Sequence, residues 1–267
     1  MPRPLPTGWG NLLGPPGRTG SHAVRSDTRA TQSRGWCDVV IDPSVGTPAF
    51  LALLGVHVLA GLFALGAGFG AIVTTKGGRR HNAAGRLYVL SMAVVVTTAV
   101  PLAVWVENWF LLAIAAFSGY LVFGGYRVIQ RRRAGLTGPA PLDYAGHGTM
   151  FLAGATMIGA GGWQLLRGPV GLSPALVVFG AIGCGFAVGM VRQLRRPPAE
   201  RPPWIGTHIA FMGGGYIATV TATVTVNLTM LPPLVRWLGP TAVGVPLIVY
   251  ATRSYVPRFS RPERPAE

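Results

Sequence analysis

Residues 50–86 read FLALLGVHVLAGLFALGAGFGAIVTTKGGRRHNAAGR. The stretch 50–74 carries no charge, and about 20 such residues make a helix that crosses a bilayer. Lys76, Arg79, Arg80 and Arg86 follow at once. An apolar run closed by a cluster of cations is how a membrane span meets its cytoplasmic loop. The pattern recurs along the chain, with further apolar stretches at 86–106, 108–130, 143–166, 172–192, 205–231 and 234–252. These predict an all-α, polytopic transmembrane helical bundle of about seven spans.

The cations fall on alternate sides. Arg131 to Arg133 lie between the third and fourth spans, with Arg127 just before, and Arg192, Arg195, Arg196 and Arg201 between the fifth and sixth. Arg253, Arg258, Arg261 and Arg264 follow the last. The opposite loops hold only Glu107, Arg167 and Arg236. The positive-inside rule places the N-terminus outside and the C-terminus in the cytoplasm of a cell with a multi-pass inner-membrane protein. Trp105, Trp109, Trp163, Trp204 and Trp237 fall near the predicted span ends, where an aromatic belt belongs.

Residues 1–46 break the charge rule, since Arg3, Arg18, Arg25, Arg29 and Arg34 should then lie outside. This segment is rich in Pro, Gly, Ser and Arg and has no apolar core, so it is no ordinary signal peptide. It reads as a disordered tail, or as the product of a misassigned start codon. The transmembrane domain covers 47–254, and 255–267 reads as a short unstructured cytoplasmic tail.

Half of the residues are hydrophobic and 12% are charged, against about 25% charged in soluble domains. The net charge of +15 does not point to nucleic acid, because the cations sit in loops between spans. The implied partner is the lipid bilayer; a redox partner and a second copy stay open. No P-loop, nucleophile elbow, HExxH or paired carboxylate motif appears, so the sequence assigns no catalytic residue. Cys37 and Cys184 form no disulfide or zinc pattern. Cys184 reads as a small buried hydrophobe.

Histidine is almost the only ionisable residue inside the spans, and an ionisable group at that depth suggests function. His57 shares a face with Gly61, Ala64 and Gly68, so it could pack against a helix or bind a ligand. His81 shares a face with Gly85, Tyr88 and Met92, or else sits solvated among arginines. Asp143 and His147 are four apart and could touch on one helix. The carboxylate could fix the imidazole tautomer, or cap the helix start. His208, Met212, Gly215, Thr219, Thr223 and Asn227 form a stripe on the sixth span. That stripe could line a polar path or hold helices together, and its threonines could bond their own helix. His81, His147 and His208 each lie near the start of an even-numbered helix, so they share a depth near the cytoplasmic face. His57 lies on the other side, about 25 Å from the inner end of its helix at 1.5 Å per residue.

Two segments carry a resemblance: HVLAGLFALGAGFGAIVTTKGGRRHNAAGRLYVLSM at 57–92 and THIAFMGGGYIATVTATVTVN at 207–227. Through His57, the HxxxGRxY run from His81 to Tyr88, and His208 with Gly215, Tyr216, Ala218, Thr221 and Asn227, the chain resembles an uncharacterised bacterial family of predicted multi-pass membrane proteins. The likeness covers about 50–230. It implies a membrane location and a helical bundle, and brings no activity.

Three functions follow from these residues. The first is a redox protein that holds haem b or a transition metal through its histidines. One outer and three inner histidines allow at most one bis-histidine haem, and His81, His147 and His208 could instead bind zinc, copper or iron. No CxxCH is present, so haem would not be attached covalently. The second is a transporter or proton-conducting protein, weakened by the lack of carboxylates at span centres and of an inverted repeat. The third is a structural or accessory protein whose histidines are packing groups.

Overall fold

The computed structural model describes residues 46–168 and 171–259. The disordered tail expected before residue 46 lies outside them, as do Cys37 and residues 260–267. Among the described residues there are seven α-helices and no strand: α1 Pro48–Val73, α2 Arg79–Trp105, α3 Trp109–Arg133, α4 Pro141–Leu166, α5 Ser173–Arg195, α6 Trp204–Asn227 and α7 Pro233–Phe259. Six are long and apolar enough to cross a membrane, so the chain is a multi-pass integral membrane protein. The exception is α4, of matching length, whose Asp143, His147, Gln164 and many glycines dilute its apolar character.

Helix ends follow local chemistry. Thr47 caps α1, its hydroxyl accepting from the Phe50 amide at 3.4 Å. Asn108 caps α3 the same way, accepting from the Leu111 amide at 3.1 Å. The turn between α2 and α3 is so tight that Glu107 takes a positive φ of 51°. Two helices run well past their expected bounds. α2 starts at Arg79, which draws His81 into the helix. α7 continues to Phe259, past the point where an unstructured tail was expected. Phe259 stacks edge-on against Trp204, and Arg258 and Lys76 both lie over the Tyr255 ring, so the end of α7 has partners.

α3 stands in the middle of the bundle, against α2, α4, α5 and α6. Three further pairs run side by side: α1 with α2, α4 with α5, and α6 with α7. The main core lies between α3, α4, α5, α6 and the start of α7, with Leu121, Met150, Phe179 and Phe211 at its centre. A smaller core joins α1, α2 and α6 through Ala64, Ala67, Tyr88 and Met92. Trp237, expected at the membrane interface, is buried in the main core with its ring edge-on to Phe110 at 4.7 Å. Leu59, Leu62, Phe63, Phe69 and Leu90 are exposed, as side chains facing lipid should be.

Lipid tails are as apolar as leucine, so helices in a membrane associate by close packing and polar contacts. The α4–α5 pair shows the packing. A Cβ added at Gly154 would stand 2.8 Å from the Gly180 carbonyl oxygen, and one at Gly180 would stand 2.7 Å from the Gly154 oxygen. The two backbones touch there, and only glycine at both positions permits it. On α1, Ala64 and Gly68 are buried as the small face predicts, with Gly68 under the Tyr216 and Tyr88 rings. Gly66, which with Gly70 makes a GxxxG spacing on α1, faces open space.

Candidate functional site

The polar residues separate into four places. The first lies between α3 and α4. Asp143 is 1% exposed, and its carboxylate accepts from Arg127 Nε at 2.7 Å, from Arg131 and from the Ala140 amide at 2.7 Å. These are the two ion pairs among the described residues. Arg131 also donates to the Gly138 carbonyl at 2.6 Å, which ties down the α3–α4 loop. Asp143 therefore fastens two helices and their connection. The expected contact with His147 does not form, because both carboxylate oxygens are spent on arginines and the helix start. The capping role does form, through the Ala140 amide.

His147, 2% exposed, turns its Nδ1 to the Tyr120 hydroxyl at 2.9 Å. Its ring meets the edges of Tyr120 and Phe123, and Tyr120 in turn packs on Phe211. This histidine is enclosed by aromatic side chains inside the main core.

The second place joins α1, α2, α3 and α6 at the arginine-rich end. His81 Nδ1 lies 2.9 Å from the Ala71 carbonyl oxygen, and His208 Nδ1 lies 3.1 Å from the Gly125 carbonyl oxygen. A carbonyl only accepts, so each Nδ1 carries a proton, which in a neutral ring leaves the lone pair on Nε2. His81 and His208 lie at the same end of the bundle, one fastened to the end of α1 and the other to α3. His147 stands apart from both, held by Tyr120 instead of a carbonyl. The three-histidine metal site expected from their common depth does not assemble, and among the described residues no group of three metal-ligating side chains could hold an ion.

The third place is His57, on the opposite half of the bundle. Its Nδ1 lies 3.1 Å from the Val95 carbonyl oxygen and 3.0 Å from Thr98 Oγ1. Thr98 gives its own proton to the Val94 carbonyl at 2.7 Å. It can therefore accept from His57, and the histidine staples α1 to α2.

The fourth is the α6 stripe. Thr219, Thr221 and Thr223 each donate to the carbonyl four residues earlier, at 3.1, 2.8 and 3.1 Å. Asn227 is exposed and donates to the Thr223 carbonyl at 2.9 Å. Bonded in this way, these side chains need no partner on a neighbouring helix. Thr219 also reaches Met92 Sδ at 3.4 Å, in the layer where Tyr88 and Tyr216 meet edge-on. Cys184, half-buried, points its thiol at the Phe151 carbonyl, 3.5 Å away.

No known protein family, curated protein or solved structure matches this chain. The site therefore rests on its own geometry. Sequence reading missed Tyr120, Arg127 and Arg131 as partners of His147 and Asp143. Their spacing of seven and then four along α3 places them on one helical face, which was the available signal. It also missed the burial of Arg236, which looked like an ordinary loop cation.

Proposed function

We propose that this protein lies in the inner membrane with its arginine-rich end in the cytoplasm and carries electrons through a haem held by His81 and His208. The orientation follows the positive-inside rule, with α4 as a seventh span beside α5.

The observation that carries the reading is the His81–His208 pair. The two imidazoles come from different helices at the arginine-rich end and share one arrangement: Nδ1–H on a backbone carbonyl, with Nε2 left for a ligand. Histidines that ligate metals are usually oriented by such a bond. The donor set fits haem better than a bare ion. Zinc or copper needs three or four protein ligands, and no third one joins the pair among the described residues. Haem brings its own four nitrogens and needs axial ligands. When bound, it would supply one-electron transfer. The chain would hold the ring through His81 and His208, keep both tautomers fixed through Ala71 and Gly125, and offer Arg79, Arg80 and Arg132 to acidic propionates at that end.

The test compares haem-to-protein ratio, as pyridine haemochrome, in single alanine variants of His57, His81, His147 and His208. Loss at His81 and His208, with retention at His57 and His147, supports the assignment. Retention at both His81 and His208 defeats it.

A further inference from the structure

We infer that Arg236 and Thr225 form a binding site for a phosphate-type oxyanion where α6 ends and α7 begins. This site is separate from the histidine pair, and nothing in it depends on the redox reading.

Arg236 is 7% exposed, yet among the described residues no carboxylate pairs with it. The described residues include only three carboxylates: Glu107, Asp143 and Glu200. Asp143 is committed to other arginines. One guanidinium nitrogen of Arg236 donates to the Thr225 carbonyl at 2.9 Å, in the last turn of α6. The negative end of that helix offsets part of the charge. Among the described residues, two buried atoms of the same two side chains have no partner, Arg236 Nε and Thr225 Oγ1. Both can donate.

The thread of threonines makes the second orphan informative. Thr219, Thr221 and Thr223 all bond back to their own helix, but Thr225 does not. An unmade bond to a buried hydroxyl costs about 1–3 kcal/mol, so the orphan marks a place where a third group accepts. A water could accept from both atoms but would leave the buried guanidinium without a counter-charge, which is expensive. An oxyanion satisfies both donors and the charge.

A third feature points the same way. A helical side chain leans toward the N-terminus of its helix, so Arg236 leans over the first turn of α7. That turn starts at Pro233, and the amides of Leu234 and Val235 have no acceptor within the helix. The helix start adds positive potential where the guanidinium already lies. The chemistry takes a phosphate group, whether free in solution or on an anionic lipid headgroup.

The test measures thermal unfolding of the detergent-purified full chain. One arm adds sodium phosphate against sodium chloride at equal ionic strength. The other adds dioleoyl phosphatidylglycerol against neutral detergent alone. A rise of about 3 °C near tenfold saturation is expected in at least one arm. Response to phosphate assigns a soluble ion, and response to the lipid alone assigns a headgroup. Arg236→Gln should abolish the rise, and Thr225→Val, which keeps the cation, should reduce it several-fold. The inference is overturned by no rise in either arm, or by an unchanged rise in the variants. If Arg236→Gln does not fold, Thr225→Val decides alone.

Discussion

Asp143 and His147 stand one helical turn apart on α4 and do not bond to each other. The carboxylate goes to Arg127, Arg131 and the Ala140 amide, and the imidazole goes to Tyr120. Two residues whose spacing suggests a carboxylate orienting a histidine are therefore two separate fasteners between α3 and α4.

Removing the charge of Asp143 should be severe. Asp143→Asn leaves Arg127 and Arg131 largely buried without their counter-charge, a loss of about 3–5 kcal/mol. Thermal unfolding of the purified variant would show it. Asp143→Asn combined with Arg131→Gln should lose less than the sum of the two single changes, because the pair is one unit.

Tyr120→Phe should cost about 1–3 kcal/mol, because it keeps the ring packing but leaves buried His147 Nδ1 without its partner. Combining it with His147→Ala should add little beyond the single histidine change. Additive losses would show that the two groups are independent.

The α4–α5 contact predicts sharp position dependence for one chemical change. Gly180→Ala should destabilise by about 1–3 kcal/mol, since the new methyl meets the Gly154 carbonyl. Gly162→Ala, on the open side of α4, should change stability by less than about 0.5 kcal/mol. Equal effects at the two glycines would contradict the close approach.

Most of the architecture is legible in the residues. Charge-free runs locate the helices, and Thr47, Asn108, Pro141 and the proline pair at 232–233 mark where they start. Boundaries fail where the sequence is ambiguous: Arg79 to Gly85 reads as a loop because it is cationic, yet it forms the first turns of α2. The histidines are legible as a class, but their partners are not. Depth along each helix can be counted, whereas neighbours depend on helix order and rotation. That is why three histidines at one level divide into a pair at α2 and α6 and a lone one against Tyr120. It is also why Thr219 and Thr223, which could equally face a pore, proved to be bonded to their own backbone.

Topology gives another prediction. A fluorescent protein fused after the last residue should fold and fluoresce in the cytoplasm, and a periplasm-active phosphatase fused at the same place should be inactive. The reverse pattern would invert the orientation.

The most direct measurement is an absorption spectrum of the detergent-purified protein, oxidised and then dithionite-reduced, with metal content measured on the same sample. The account predicts a Soret band that shifts on reduction, with iron near one equivalent, and loss of that band on His208→Ala. A protein that shows no Soret band, and acquires none when haemin is supplied, would contradict it and leave His81 and His208 as packing groups.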